Sequence, residues 1–424
     1  MKKFKVFSFL FFILIGISAN SQSLPQGSLV IVGGGLEYNN KSVYTQMIEL
    51  AGGAENASFA VIPSASGVAV QSWVWFRKAL ISYGVKPDNI HLINIAIADD
   101  DSTTDVNEST WSNNGNDVKL AEIIRGCSAV WFTGGDQLRT IKTLVRPDGS
   151  NTPVLDAVWE VFRSGGVVGG TSAGAAIMSE AMIGGGNSLG ALTHGVISDY
   201  KGDDFPEGDG LLMTKGLGFF PLGMVDQHFN ARARIGRLCV ALMHVKDQFN
   251  GGFGIDENTA LIYIGKQKLL KVAGASGVTI LNTSEASISY VQNLPLIQNL
   301  KVSYLEEGDS YDITNHKIIP AEGKKPTRGN EYYKIQNPGQ AGVLSGYSGS
   351  FRDLLTVNLI DNKSADKTQN ISFYKDDSGF LVTLTKNTES AGYYTDKPNG
   401  NDRYTVENIR MDITPVNITL SPLK

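Results

Sequence analysis

Val167-Val168-Gly169-Gly170-Thr171-Ser172-Ala173-Gly174-Ala175-Ala176 is the stretch on which the fold of this 424-residue chain turns. Two β-branched residues run into a string of small ones, and Ile177-Met178-Ser179 then reads as a helix start. Gly170, Ser172 and Gly174 satisfy G-x-S-x-G between a strand and a helix, the setting in which that pattern holds a serine on a strained, exposed turn. A helix N-terminus behind the serine favours negative charge developing there. The same spacing arises by chance in a chain with 47 glycines, where it marks only a tight turn, so the flanking elements decide.

Those elements alternate. Ser28–Val32, Ser58–Ile62, Asn89–Ile95, Ala129–Phe132 and Val167–Val168 are β-branched runs that end in glycine or polar turns. Between them, Ser42–Leu50, Gln71–Tyr83, Val118–Arg125 and Pro153–Phe162 carry apolar residues at helical spacing. Alternation of this kind predicts an α/β fold, a largely parallel sheet with helices on both faces. Sites in such sheets lie beyond the carboxyl ends of the strands, where the turn motifs fall. After a Glu-, Lys-, Pro- and Gly-rich stretch at 321–330, helical periodicity disappears and short strands separated by Asn, Asp, Gly and Pro follow. The expected organisation is therefore an α/β domain over 22–320, a linker over 321–330 and a small C-terminal all-β domain over 331–424, read as a sandwich. Every chemical motif precedes residue 321, so a chain ending near Ala321 is expected to fold alone.

Composition narrows the function classes. Hydrophobic residues make up 42% and charged residues 19%, which is globular. The formal net charge of −5 offers no basic field for nucleic acid. Cys127 and Cys239 are too few for a disulfide framework or a thiolate zinc site, and whether they pair is left open. With no H-E-x-x-H and no spaced Cys/His cluster, no metal or organic cofactor is expected. Lys2, Lys3 and Lys5 precede the apolar run Val6–Ile17, and Ala19-Asn20-Ser21 supplies small residues, so 1–21 reads as a secretory signal peptide. That run is shorter than the ~20 residues a membrane span needs. The mature chain is expected to be exported, periplasmic or extracellular, with no membrane span.

The remaining motifs serve a serine. Val32-Gly33-Gly34-Gly35 fails the dinucleotide fingerprint, because Tyr38 stands where its third glycine belongs; a tight turn letting backbone approach a ligand is the expectation. A serine nucleophile needs a base. His91, His244 and His316 sit in strand, helix and linker patterns, where a structural role is the default. His194 and His228 remain, and His228 lies in Asp226-Gln227-His228-Phe229-Asn230-Ala231-Arg232-Ala233-Arg234, which is either a strand end entering a site or a solvated polar turn. Phe132-Thr133-Gly134-Gly135-Asp136-Gln137 closes another strand, so the N–H groups of Gly135 and Ala173 are the candidate oxyanion donors.

Taken in order, Thr133–Gln137, Gly170–Ala175, Asp226–Phe229 with Arg232, Arg234 and Arg237, and Gly254-Ile255-Asp256-Glu257-Asn258-Thr259-Ala260 resemble the motif set of cyanophycinase and its relative peptidase E. The likeness covers roughly residues 26–320 and implies a class I glutamine amidotransferase-like fold with serine in place of cysteine. It implies Ser172 as nucleophile, His228 as base, and Gln137, Asp226, Gln227, Arg232, Arg234 and Arg237 as pocket residues. It also implies an orienting glutamate shortly after the nucleophile helix. Ile183–Gly190 holds no acid, and Glu180, Asp203, Asp204 and Glu207 are the nearby alternatives. The implied activity is hydrolysis of a peptide or isopeptide bond at an aspartyl residue, of the β-Asp-Arg type, with a homodimer among the assemblies. Two rivals stand beside it. A lipase-like esterase shares the elbow but would want an H-G-G-G-type loop, and a catalytically inactive peptide-binding module would keep the pocket alone.

Overall fold

The computed structural model describes residues 24–198, 200, 205–336, 339, 350–375, 377–396, 402–419 and 421. The expected leader, and the acids Asp203 and Asp204, lie outside them. Five strands, β1 (Ser28–Val32), β2 (Phe59–Ile62), β3 (Ile90–Leu92), β4 (Ala129–Phe132) and β5 (Val167–Thr171), stand parallel in the order β1-β5-β4-β2-β3. Helices α1 (Lys41–Leu50), α2 (Ala69–Ser82), α3 (Val118–Arg125), α4 (Gln137–Leu144) and α5 (Pro153–Arg163) fill the crossovers. Only α4 escapes the periodicity reading; it is eight residues long, capped by the Asp136 side chain, and carries three threonine or lysine positions among its apolar ones.

Alternation along each strand sorts the two faces. Val30, Val32, Phe59, Val61 and Trp131 pack with α1 and α2 through Tyr44, Met47, Phe76 and Leu80. Leu29, Ile31, Ala60, Ile62, Val130 and Phe132 face the other way, onto Ile124 of α3 and Leu155, Val158 and Phe162 of α5. A period of two in the strands and one of 3.6 in the helices is what buries both faces at once. Beyond β1 the sheet turns antiparallel, through Thr259–Ile264, Leu269–Gly274, Ser310–Asp312 and Lys317–Ile319, and becomes a mixed sheet of nine strands.

The C-terminal region is strand-rich, as expected, but its strands do not close into a sandwich of their own. Arg403–Asn417 pairs antiparallel with Leu294–Glu306, from Leu305 opposite Thr405 to Ile297 opposite Ile413. One ten-stranded sheet therefore runs from the C-terminal strands through Leu294–Glu306 and Gly277–Asn282 to Gly251–Ile255 and Met224–Asp226. Tyr404, Val406, Ile409, Met411 and Ile413 share a buried cluster with Leu238 and Leu242 of the helix Ile235–His244. The expected linker is also anchored. Lys324 is buried, its Nζ donating to both Asp309 carboxylate oxygens at 2.8 Å, to the Tyr404 carbonyl and to Thr405 Oγ1. Composition shifts at Ala321, but packing does not stop there.

Cys127 and Cys239 are both buried and free, in different clusters. No helix among the described residues is long and apolar enough to cross a membrane, and no group of three His, Cys, Asp or Glu among them is placed to hold a metal ion.

Candidate active site

Ser172 follows β5 directly, with φ 55° and ψ −111°, a conformation rare for a residue with a side chain. Strain of this kind costs on the order of 1–3 kcal/mol and persists where the surroundings enforce it. The enforcement is visible. A Cβ at Gly170 would lie 2.5 Å from the Gly174 carbonyl oxygen, and one at Gly174 would lie 2.4 Å from that of Phe132. Both glycines of the motif are therefore needed for close backbone packing. The helix behind the serine is a single turn over Ala173–Ala176 and ends before Ile177-Met178-Ser179, where the sequence placed its start and the chain instead turns. Its macrodipole is correspondingly small, and what it offers is the Ala173 N–H, one of the first-turn donors that have no intrahelical acceptor.

His228 and Glu257 arrive together for a topological reason. Met224–Asp226 and Gly251–Ile255 are parallel neighbours, with Asp226 opposite Gly254, so the turns that follow them are adjacent. His228 Nε2 lies 2.8 Å from Ser172 Oγ, and His228 Nδ1 lies 2.6 Å from Glu257 Oε1. The acid on His228 is thus Glu257, in the Gly254–Ala260 segment, and neither Glu180 nor Glu207. Glu180 lines a separate groove with Trp159 and Lys215, and Glu207 stands at the mouth of the cleft. Glu257 stands two residues past Gly251–Ile255, as His228 stands two residues past Met224–Asp226, and the quoted Gly254–Ala260 segment already contains it.

The glycine turn after β1 packs against the histidine. The His228 N–H donates to the Gly33 carbonyl at 2.6 Å, and a Cβ at Gly34 would fall 2.2 Å from His228 Cε1. Burial pushes the His228 pKa below its ordinary value, opposed by the bond to Glu257 and reinforced by the Arg232 and Arg234 charges. A neutral imidazole with its Nδ1–H given to a carboxylate presents Nε2 as acceptor to the serine hydroxyl, which is what general-base activation requires.

Gly134 and Gly135 sit on the far side of the serine. A Cβ at Gly134 would come 3.3 Å from Ser172 Cβ, and one at Gly135, where φ is +138°, would strike the Ala65 carbonyl oxygen at 2.0 Å. Beside them opens a cleft of about 520 Å³, lined among others by Asp136, Gln137, Gly184, Phe205, Gln227 and Arg232.

The polar residues expected in the pocket divide into two sets. Asp226 and Arg237 are both buried and paired with each other, Arg237 Nε and Nη2 on the two carboxylate oxygens and Nη1 on the Gly186 carbonyl. Arg234 Nη1 donates to the carbonyl and the side-chain oxygen of Gln227, and burial holds its pKa down to about 10. Gln137 Nε2 donates to the carbonyls of Ile183 and Gly184. These groups shape the cleft wall, and Asp226 does not reach the cleft surface. Arg232 is exposed and lines the cleft; its backbone N–H donates to the His228 carbonyl at 3.0 Å, and its side chain forms no ion pair or hydrogen bond with any described residue.

Residues 29–271 match the model of Peptidase family S51. A cyanophycinase of Geminocystis herdmanii is 31% identical over 303 residues, covering 70% of this chain and 97% of its own, and one of Synechococcus elongatus is 29% identical over 72% of this chain and 84% of its own. A solved peptidase from an acI-B1 Actinobacterium is 22% identical over 69% of this chain and 98% of its own, with a TM-score of 0.45. Family match and strand-turn-helix setting together make the chain a member of peptidase family S51, a serine-type peptidase of the cyanophycinase and peptidase E kind.

Proposed function

We propose that the chain is an exported peptidase that hydrolyses peptide or isopeptide bonds at aspartyl residues, of the β-Asp-Arg type, with Ser172 as nucleophile and His228 as base. The observation that carries the reading is the line Ser172–His228–Glu257, at 2.8 and 2.6 Å. Ser172 Oγ attacks the carbonyl carbon while His228 Nε2 takes its proton, and Gly135 and Ala173 N–H groups receive the oxyanion. The tetrahedral intermediate expels the amine, which takes the proton from His228 and leaves an acyl-enzyme. Water activated by His228 then releases the acid. Glu257 holds the imidazole in the required tautomer and stabilises it when protonated.

Replacing Glu257 by Gln is expected to lower kcat by roughly 10³–10⁴-fold, the usual loss for an orienting acid. The pH profile checks the same bond. Burial lowers the His228 pKa and outweighs the bond to Glu257, which raises it, so the acid limb of kcat/KM lies below the ordinary histidine value and moves lower still in Glu257→Gln. A limb that stays put, or moves up, would contradict the assignment.

Charge at the cleft supports a substrate carrying both signs. Arg232 is its uncommitted cation, while Asp136 and Glu207 line the same cleft. Arg232→Ala is expected to raise KM about tenfold for a β-aspartyl-arginine dipeptide with little change in kcat, since an exposed arginine–carboxylate bond is worth the low end of 1.5–3 kcal/mol. Steady-state kinetics against neutral dipeptides and a short-chain ester is the control. An ester turned over faster than every aspartyl peptide would favour the esterase.

Export rests on Lys2, Lys3, Lys5 and the apolar run after them. Mass analysis of exported protein is expected to show a start within a few residues after Ala19; an intact Met1 would refute it.

A further inference from the structure

We infer that Asp256 is a positioning residue for catalysis: its carboxylate fastens the turn that carries His228 to the turn that carries Glu257, and ties both to the strand Leu294–Glu306. The inference rests on the proposed roles of Ser172, His228 and Glu257. Asp256 is 2% exposed, and its side chain makes no ion pair with any described cation. Oδ1 accepts the Asn230 N–H at 3.0 Å, two residues past the histidine. Oδ2 accepts the Ser276 hydroxyl at 2.7 Å, the Gly277 N–H at 3.4 Å and the Tyr304 hydroxyl at 3.3 Å. The Asp256 N–H donates to the Gly277 carbonyl at 3.1 Å, which fixes the backbone next to Glu257. A buried carboxylate served only by neutral donors is costly to keep, and this one lies one residue from the acid and within a bond of the histidine turn.

His228 has φ 47°; downstream of it the Phe229 N–H donates to the Ile255 carbonyl at 3.1 Å, and the first tether to a side chain is that of the Asn230 N–H to Asp256. Without that tether the turn relaxes, the 2.6 Å bond to Glu257 lengthens, and the imidazole loses both its orientation and the interaction that raises its pKa. Tyr304 extends the tether outward. Its ring lies against Gly277, where a Cβ would meet Cζ at 2.4 Å, and it is buried among the C-terminal strands. The charged groups bearing on His228 are Glu257, Arg232 and Arg234, while Glu306 and Arg352 bear on Tyr304 behind Asp256.

The experiment measures two quantities on full-length protein: the rate at which a fluorophosphonate labels Ser172, and the pKa of His228 from its ring proton shifts. Wild type, Glu257→Gln, Asp256→Ala, Asp256→Asn and Tyr304→Phe are compared at matched folded fraction. Asp256→Ala is expected to slow labelling at least thirtyfold and to lower the His228 pKa toward that of Glu257→Gln. Asp256→Asn keeps an oxygen for the Asn230 N–H and is expected to recover labelling to within about fivefold of wild type. Where Asp256→Ala does not fold, Tyr304→Phe carries the test with an expected threefold loss and a smaller pKa shift of the same sign. Normal labelling and an unmoved His228 titration in the folded variants would overturn the positioning role alone. Failure of wild type to label would instead remove the nucleophile assignment, and this inference with it.

Discussion

Ser172→Ala is expected to abolish turnover of an aspartyl peptide, with a loss of about 10⁶-fold in kcat, as for removal of a triad nucleophile elsewhere. Binding should survive, because the cleft wall owes its shape to bonds that do not involve the serine. The Asp226–Arg237 pair and the Arg234–Gln227 and Gln137–Gly184 bonds all stay in place. No second nucleophile is at hand in the described structure. Cys127 and Cys239 are buried, and burial pushes both thiols up, away from the reactive thiolate. Residual hydrolysis in the variant would come from water activated by His228. The measurement is single-turnover cleavage together with calorimetric binding of β-aspartyl-arginine to the variant. Undiminished turnover would defeat the serine mechanism, whereas tight binding by a wild type that never turns over would favour the inactive binding module.

A chain ended after Ala321 is expected to be insoluble or unfolded. Truncation removes Lys324 and leaves Asp309 buried without its cation, and breaking such a pair costs about 3–5 kcal/mol. It also strips Tyr404, Val406, Ile409, Met411 and Ile413 from a shared cluster, each worth about 1.5–3 kcal/mol when fully buried. Those losses together match the whole stability of an ordinary domain, about 5–15 kcal/mol. The unpaired edge of Leu294–Glu306 would then be a template for aggregation. Expression of the truncated chain with circular dichroism and size-exclusion chromatography decides the matter. A soluble truncation with a native melting transition would show that the C-terminal strands are dispensable to the fold.

Local chemistry made much of this protein legible from its residues alone. β1 and β4 run over the residues their β-branched character marks, α3 over its helical period, and β5 starts where expected but continues three residues further, through Gly169, Gly170 and Thr171, because its neighbours β1 and β4 hydrogen-bond to it there. Periodicity and turn glycines act over a few residues, and so does the elbow that strains Ser172. A histidine after a strand was likewise a local signal, and His228 stands against Ser172 although 56 positions separate them.

Partner choice was decided only in three dimensions. The resemblance implied an acid shortly after the nucleophile helix, yet the acid on His228 is Glu257, because two parallel strands end side by side. Asp226, Arg234 and Arg237 carry the charges a substrate would want, and folding spends them mostly on one another, leaving Arg232 exposed at the cleft. Composition changes at residue 321, but a strand cares whether its edge is paired and not what linker precedes it, so Arg403–Asn417 returns to Leu294–Glu306. Propensity is a property of neighbours along the chain; hydrogen-bond and ion-pair satisfaction is a property of neighbours in space, and burial makes the second the more costly to leave unmet.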